Sequence, residues 1–397
     1  MLATRFALRT LAAVAVAAAL ATPALADDGT DFGPQVKMLF RVGACGSDDA
    51  LPARMSAKVV DAHCAKMQRV YASHHRAWAD KAGPYIAKIQ PSTAPTTVVY
   101  PFGGGDLTSA LVVFPNATEI TTLSLEAPGD VRAIDKISKE QLAADLGVIS
   151  HDIERLYRSA YSTTKSLQES AYSELPGTLM FALAGLAHMG YEPLALRYFD
   201  INPDGSLTYL SNAELDKRVA AVVGNPKTKQ RYKNRRWTDM ESVFANVEIQ
   251  FKKRGDANAP VKTYRHILAN LDDAHLNADH RVLAHLEKKG KVSVMTKAAS
   301  FLLWFDDFSN MRDYLSSHIA WMISDASGLP PSFATQHGLE QTTYGTFVGP
   351  YFIQDPHNTR SEMISMWKKQ PERKLPFRFG YPDAEDNNHL MITQPKS

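Results

Sequence analysis

The chain has 397 residues, with 44 Lys and Arg against 42 Asp and Glu, and 45% of its side chains are hydrophobic. A chain of this length buries a large core as one or two domains. Its nearly neutral charge gives no support for a nucleic-acid partner or an anionic membrane partner, and we expect neither.

The first 26 residues have the pattern of a secretory signal peptide. Arg5 and Arg9 precede an apolar run from Leu11 to Ala21, and Ala24-Leu25-Ala26 offers a small-x-small cleavage site. The run is shorter than the ~20 residues that span a bilayer, which disfavours the alternative of a membrane anchor. The leader carries two Arg and no acids, so cleavage leaves 42 basic and 42 acidic side chains. We expect a periplasmic or secreted protein without membrane insertion after cleavage.

Cys45 and Cys64 are the only two cysteines. In an oxidising compartment an isolated pair forms one disulfide, whereas a catalytic dithiol would have CxxC spacing. We predict a Cys45–Cys64 disulfide within an N-terminal helical segment, residues 27–95. Its main helix is predicted at about residues 54–78, and Gly83-Pro84 is expected to break the chain after it.

The most informative stretch runs from Tyr100 to Asp106 and reads Tyr-Pro-Phe-Gly-Gly-Gly-Asp. A strand is predicted just before it at residues 97–100, and a second strand is predicted to end at Glu126. The glycines are Gly103, Gly104 and Gly105. The pattern predicts a Rossmann-like unit of strand, Gly turn, helix and strand near residues 96–126.

This turn has three possible roles. Glycine backbone at the end of a strand lets a ligand approach closely, but Asp106 is also a good N-cap for a following helix. Glu126 stands 21 residues after Gly105, where nucleotide-binding units place an acid on a ribose. The spacing GGGD is not GxGxxG. A structural turn, a small-molecule site and a nucleotide site therefore all stay open.

The rest of the chain alternates predicted helices and strands. Ser138 and Gln141 form a capping box ahead of a helix with an apolar stripe. Residues 178–189 are apolar on every side, which indicates a buried helix or a central strand. Further strands are predicted at residues 193–201, 206–210, 242–252, 262–269 and 291–296, and further helices at residues 276–288 and 308–323. This order favours an α/β or α+β fold, a mixed sheet with flanking helices. Residues 96–397 would form the main domain, with a candidate subdivision near residues 211–237.

A second region, residues 297–330, sets charged side chains in strongly apolar sequence. Lys297 opens Lys-Ala-Ala-Ser-Phe-Leu-Leu, Arg312 follows Phe308, and Asp325 and Ser327 lie in a predicted loop. Such charges are either paired structurally or kept for a ligand. Lys297, Arg312 and Ser327, with the three glycines, are therefore the candidate ligand-binding residues. Asp106, Glu126 and Asp325 are the candidate catalytic acids or bases.

Three other clusters favour plain structural roles. His275 and Asp279 are i and i+4, which could hold a metal, but acids at a polar helix N-terminus explain them better. His188 fits a core histidine, and the basic cluster from Lys227 to Arg236 fits a solvated loop. We predict no metal and no cofactor.

The glycine segment also carries a resemblance. Residues 100–106, followed by Phe114-Pro115-Asn116-Ala117 and Leu125-Glu126, resemble a group of uncharacterised exported bacterial proteins. The motif of that group runs Tyr-Pro-Phe-Ser/Gly-Gly-x-Asp, then Phe-Pro-Asn-Ala and Leu-Glu. The segments at Lys297 and Asp325 are similar to a later part of the same group. The resemblance spans about residues 96–352 and implies export, but it implies no activity. Gly103 stands where serine is common in the group.

Three functions remain open from the sequence. The first is an exported envelope protein that binds a small molecule or envelope component at the glycine turn. The second is a periplasmic hydrolase of an envelope polymer or ester that uses its carboxylates. The third is a degenerate nucleotide-type fold with a structural role.

Overall fold

A computed structural model describes residues 29–159, 175–224, 242–349, 355–380 and 387–396. Ten strands form one mixed sheet in the order β4-β3-β5-β6-β2-β1-β7-β8-β10-β9. In chain order, β1 to β10 are Thr97–Pro101, Glu119–Ser124, Tyr191–Ile201, Leu207–Tyr209, Asn246–Lys253, Lys262–Leu268, Val292–Thr296, Ile319–Ser324, Leu339–Thr346 and Asn388–Pro395.

The centre of the sheet is parallel. The neighbours β6-β2-β1-β7-β8 all run in one direction, and antiparallel strands extend both edges. Counted among themselves, the five parallel strands have the order 3-2-1-4-5 of doubly wound nucleotide-binding sheets. The chain reverses its direction of winding between β1 and β7. Such sheets place ligands at the carboxyl ends of the strands at this switch point.

Helices cover both faces of the sheet. The helices α1 to α12 are Gly33–Val42, Ala57–His74, Asp80–Ile89, Leu107–Val113, Lys139–Ser159, Gly177–His188, Asn212–Gly224, Asp273–Ala278, Arg281–Glu287, Ser309–His318, Pro331–Gln336 and Thr359–Lys369. One core packs α1 to α6 on one face, and a second core packs α8 to α11 on the other. Alternate residues of the central strands, such as Val98 and Val99, enter opposite cores, as the pleat requires. In the described part of the chain, no helix combines the length and apolar character needed to cross a bilayer.

The predicted α/β fold with a mixed sheet and flanking helices is confirmed. Strand β1, helix α4 and strand β2 form the expected unit around the glycine turn. Of residues 178–189, left open as helix or strand, all but Met189 belong to α6, which is buried from Gly177 to Ala187. The strands predicted at residues 193–201 and 206–210 correspond to β3 and β4, which pair antiparallel.

The predicted helix at residues 308–323 was wrong in its last five residues. The helix ends at His318, and Ile319–Ser324 is the central strand β8. Its sequence, Ile-Ala-Trp-Met-Ile-Ser, is apolar on both faces, as in strands buried in parallel sheets. Periodicity alone does not separate such a run from a buried helix.

The predicted break at Gly83-Pro84 was also wrong. Helix α2 passes through a π-helical segment, His75–Ala79, directly into α3, and Pro84 lies inside α3. Proline removes one backbone hydrogen bond from a helix. Ala82 and Ile86 of the same helix are completely buried, and this packing outweighs the lost bond.

Other sequence predictions concern segments that the structure describes only in part or not at all. Of the candidate boundary at residues 211–237, residues 212–224 form α7. The signal peptide, residues 1–26, and the basic cluster, residues 227–236, lie outside the described residues.

The predicted disulfide joins Cys45, just after α1, to Cys64 in α2, with the two Cα atoms 5.3 Å apart. We expect the double variant Cys45→Ala/Cys64→Ala to lose about 3 kcal/mol of unfolding free energy, because its unfolded chain is no longer closed into a loop. Guanidinium denaturation measures the loss. Reduction should shift the midpoint of the wild-type protein and leave that of the variant unchanged. A wild-type midpoint that is insensitive to reduction would contradict the prediction.

Candidate functional site

The glycine turn at the end of β1 is tightly packed. Gly103, Gly104 and Gly105 are all buried, and Gly104 has a positive φ of 51°. A Cβ atom on Gly105 would lie 2.6 Å from the Cβ of Phe181 in α6. The glycines therefore allow a left-handed turn and the close approach of α6. A ligand resting directly on this backbone would compete with Phe181.

Asp106 and Lys297 form a buried ion pair beside this turn. Asp106 Oδ1 accepts the backbone N–H of Ser109 at 3.1 Å, which caps α4 as predicted. Asp106 Oδ2 accepts the Tyr100 hydroxyl at 3.2 Å and Lys297 Nζ at 2.6 Å. Lys297 Nζ also donates to Ser109 Oγ at 3.1 Å. Both charged side chains are 6–7% exposed, so each charge depends on the other and on these hydrogen bonds.

Asp325 shapes the bend that follows Lys297. It is completely buried, and its Oδ2 accepts the backbone N–H of Ala298 at 2.9 Å. Ala298 has φ of 59°, a costly conformation for a residue with a Cβ, so the surrounding structure must hold it. Asp325 Oδ1 accepts the backbone N–H of Ser327 at 2.9 Å and also its hydroxyl, and Ser300 Oγ lies 2.5 Å from Ser327 Oγ. Asp325 is therefore linked to the Lys297 region by its hydrogen bond to the backbone of Ala298, and Ser327 is linked to that region through Asp325.

Arg312 and Glu126 lie in other hydrogen-bonded environments. The Arg312 guanidinium donates to the carbonyls of Leu303, at 2.8 Å, and Phe305, which ties the loop after β7 to α10. Glu126 is buried two residues beyond the end of β2. Its carbonyl accepts from Nε2 of His266 at 2.7 Å.

A groove beside the turn was missed by sequence reasoning. It has a volume of about 560 Å³ and lies between α2 with its π segment and α5. The lining side chains are Lys66, Arg69, Val70, Ser73, His74, Ala77, Glu154, Tyr157 and Arg158.

Two aromatic side chains connect the groove to the glycine turn. The Tyr157 hydroxyl lies 3.0 Å from Oγ1 of Thr108, the second residue of α4. His74 Nδ1 lies 2.9 Å from Nε2 of His188, and the His74 ring stacks on Tyr157 with centroids 4.4 Å apart. The π segment starts at His75, directly after His74, and such segments often mark functional sites.

The electrostatics agree with this connection. Burial lowers the pKa of His74 to about 4 and that of His188 to about 3, so both rings are neutral at pH 7. The charge of Asp106 opposes the shift at His74, and the charge of Lys297 adds to it. The charges of the buried ion pair therefore act on the pKa of His74, a side chain of the groove wall.

Positive charge dominates the rim of the groove. Glu154 Oε2 lies 3.5 Å from Lys66 Nζ, and Glu154 Oε1 accepts from Arg158 at 2.6 Å. Lys66 Nζ also donates to Ser150 Oγ at 3.1 Å. Arg69 is exposed and makes no ion pair within the described ranges.

The polar cluster that includes His275 and Asp279 is explained by helix capping and a local ion pair. Asp272 caps α8 by accepting the backbone N–H of His275 at 2.9 Å, and Asp279 pairs with Arg281. In the described ranges, no three His, Cys, Asp or Glu side chains come together as metal ligands.

Comparison with known proteins finds no family model that matches the chain, and no similarity to a curated protein or to a solved structure. The function must therefore be argued from the site itself.

Proposed function

We propose that the protein is an exported binding protein that takes a small molecule in the groove between α2 and α5, beside the glycine turn. One observation carries the proposal. Tyr157 lines the groove and contacts Thr108, the second residue of the helix after the turn. The groove thus adjoins the switch point of the sheet, where folds of this strand order bind ligands.

The dimensions and chemistry of the groove support binding. A volume of about 560 Å³ lies within the range of small-molecule sites. Its walls combine apolar surface from Val70 and Ala77 with a few polar groups, which is the usual composition of such sites. The Cys45–Cys64 disulfide and the leader pattern support an oxidising, exported location.

Binding has more support than hydrolysis at the predicted carboxylates. Asp106 and Asp325 each accept three hydrogen bonds from groups that the fold itself supplies. Carboxylate oxygens that the fold already occupies in this way support a structural role rather than proton transfer to a substrate. The glycine turn under Phe181 supports the same view, because its backbone is already packed.

Thermal-shift titration of the mature protein, residues 27–397, tests the proposal. Sugars, small carboxylates, sugar phosphates, nucleotides and divalent metals serve as probes. We expect at least one class to raise the melting temperature in a dose-dependent way. Ser73→Trp should fill the groove and abolish this shift without unfolding the protein, because Ser73 is exposed on α2.

The matched control is Ala72→Trp, which adds the same ring at an exposed neighbour that does not line the groove. It should keep the ligand-dependent shift. Two results would refute the proposal: no probe stabilises the protein, or Ser73→Trp binds every probe as the wild type does. A nucleotide shift that survives Ser73→Trp would instead favour a nucleotide site at the switch point.

A further inference from the structure

We infer that the ligand of this groove carries an oxyanion, a carboxylate, phosphate or sulfate group, and that Arg69 is the side chain that binds it. The inference rests on the proposed function, since it names the chemical class of the molecule that the groove takes.

The charge of the groove is the first observation. Its lining contains three cationic side chains, Lys66, Arg69 and Arg158, and one carboxylate, Glu154. The His74 ring on the wall adds no charge at pH 7, because burial lowers its pKa to about 4. The lining therefore has an excess of positive charge. A concave surface of one sign concentrates ligands of the opposite sign.

The hydrogen bonding separates these three cations. Lys66 is held between the two helices by Ser150 and Glu154, and Arg158 is held by the other oxygen of Glu154. Glu154 thus partners two cations with its two carboxylate oxygens. Arg69, which has no ion pair among the described residues, is left to meet a ligand.

The position of Arg69 suits that role. It lies three residues after Lys66 and four before Ser73, so all three side chains share one face of α2. A guanidinium offers parallel N–H donors whose spacing matches two oxygens of a carboxylate or phosphate. The Ser73 hydroxyl lies one turn further along the same wall and can donate to a third oxygen.

The aromatic side chains argue against a neutral sugar. Sugars that bind without charge need open aromatic faces or many amide and hydroxyl partners. Here His74 and Tyr157 stack on each other at 4.4 Å, which occupies one face of each ring. The Tyr157 hydroxyl is hydrogen-bonded to Thr108, and Nδ1 of His74 is hydrogen-bonded to His188. The groups left at the rim are mainly the charged ones.

Isothermal titration calorimetry with matched probes tests the inference. Glucose 6-phosphate is compared with glucose, and succinate with succinamide, on the wild-type protein. We expect the charged member of at least one pair to bind about tenfold or more tightly than its neutral partner, as charge-assisted hydrogen bonds predict. Its affinity should fall as salt is raised, because the groove is open to solvent. The carboxylate and phosphate arms distinguish the two sources of the oxyanion.

Variants assign the effect to Arg69. Arg69→Gln should weaken the charged probe by about tenfold or more, and Arg69→Lys should restore only part of the loss, because lysine lacks the planar fork. Arg155→Gln is the matched control, since Arg155 is exposed on α5 but does not line the groove. It should leave the affinity unchanged.

The failures of the two proposals are distinguishable. If probes bind and Ser73→Trp abolishes binding, but charge and Arg69→Gln make no difference, the oxyanion inference is overturned while the binding function stands. If no probe binds, or if Ser73→Trp does not weaken the binding of any probe, the proposed binding function is refuted. The oxyanion inference is then refuted as well.

Discussion

Lys297→Met is expected to lower the free energy of unfolding by about 3 to 5 kcal/mol, which is the usual cost of removing one partner from a buried ion pair. Lys297 donates to Asp106 at 2.6 Å, and both side chains are 6–7% exposed. Methionine keeps the length of the side chain but leaves the Asp106 carboxylate in the core without its cation. Guanidinium denaturation measures the loss, and Lys58→Met at an exposed position of α2 is the control.

A double-mutant cycle separates the ion pair from other contacts of the same residues. Asp106→Asn keeps one oxygen, which can cap α4, but its amide nitrogen replaces the oxygen that accepts from Tyr100 and Lys297, so the Lys297 ammonium loses its counter-charge. The double variant Asp106→Asn/Lys297→Met contains neither buried charge. It should therefore cost less than the two single changes together. Strictly additive losses would show that the two charges do not stabilise each other.

The Asp106–Lys297 pair shows how much of the switch point could be predicted from the sequence. The sequence predicted Asp106 as a helix cap and marked Lys297 as a charge in apolar surroundings, and both statements follow from local composition. It placed the glycine turn and Lys297 in one candidate site but did not specify this ion pair, because the two residues are 191 positions apart. Their meeting depends on β1 and β7 being parallel neighbours, which aligns their carboxyl ends. Strand order is a property of the whole sheet, and no local pattern specifies it.

The groove was missed for a different physical reason. On a continuous α-helix, the side chains that fall on one face are Met67, Val70, Tyr71, His74 and Trp78, and this pattern indicated one shared face and no groove. The π segment His75–Ala79 widens one turn and rotates the residues of α3 relative to those of α2. Trp78 stays buried, whereas His74 is only half-buried and becomes part of the groove wall. Most of the lining from this helix, between Lys66 and His74, precedes the π segment, and the groove forms where α2 lies beside α5. The period of one helix cannot reveal its distance from another helix.

Acid is expected to destabilise the fold through its histidines before its carboxylates titrate. Burial lowers the pKa of His74, His266 and His285 to about 4, and that of His188 to about 3. An unfolded histidine binds its proton near pH 6.5. Between pH 6.5 and 4 the unfolded state therefore binds more protons than the folded state. The stability contributed by these residues is complete above pH 6.5 and is lost progressively as the pH falls.

His266 gives the cleanest test of this prediction. It is 1% exposed, with Nε2 donating to the carbonyl of Glu126 at 2.7 Å and Nδ1 3.1 Å from the Thr122 hydroxyl. Its neutral form is thus fully hydrogen-bonded. The shift from 6.5 to about 4 corresponds to about 3 kcal/mol of stability at neutral pH, lost at up to about 1.4 kcal/mol per pH unit.

Denaturation at pH 7, 6 and 5 isolates the histidines from the acids. Burial alone would raise the pKa of Glu119, but Lys289 and Arg265 lower it to about 2. The stabilising effect of Glu119 is therefore lost only below about pH 4.5. His266→Gln should lower the stability at pH 7 and also flatten the slope between pH 7 and 5 by about one proton. A variant that is less stable but keeps the full slope would show that His266 already binds its proton in the folded state. The acid sensitivity would then arise at His74, His188 and His285, where the corresponding glutamine variants would reveal it.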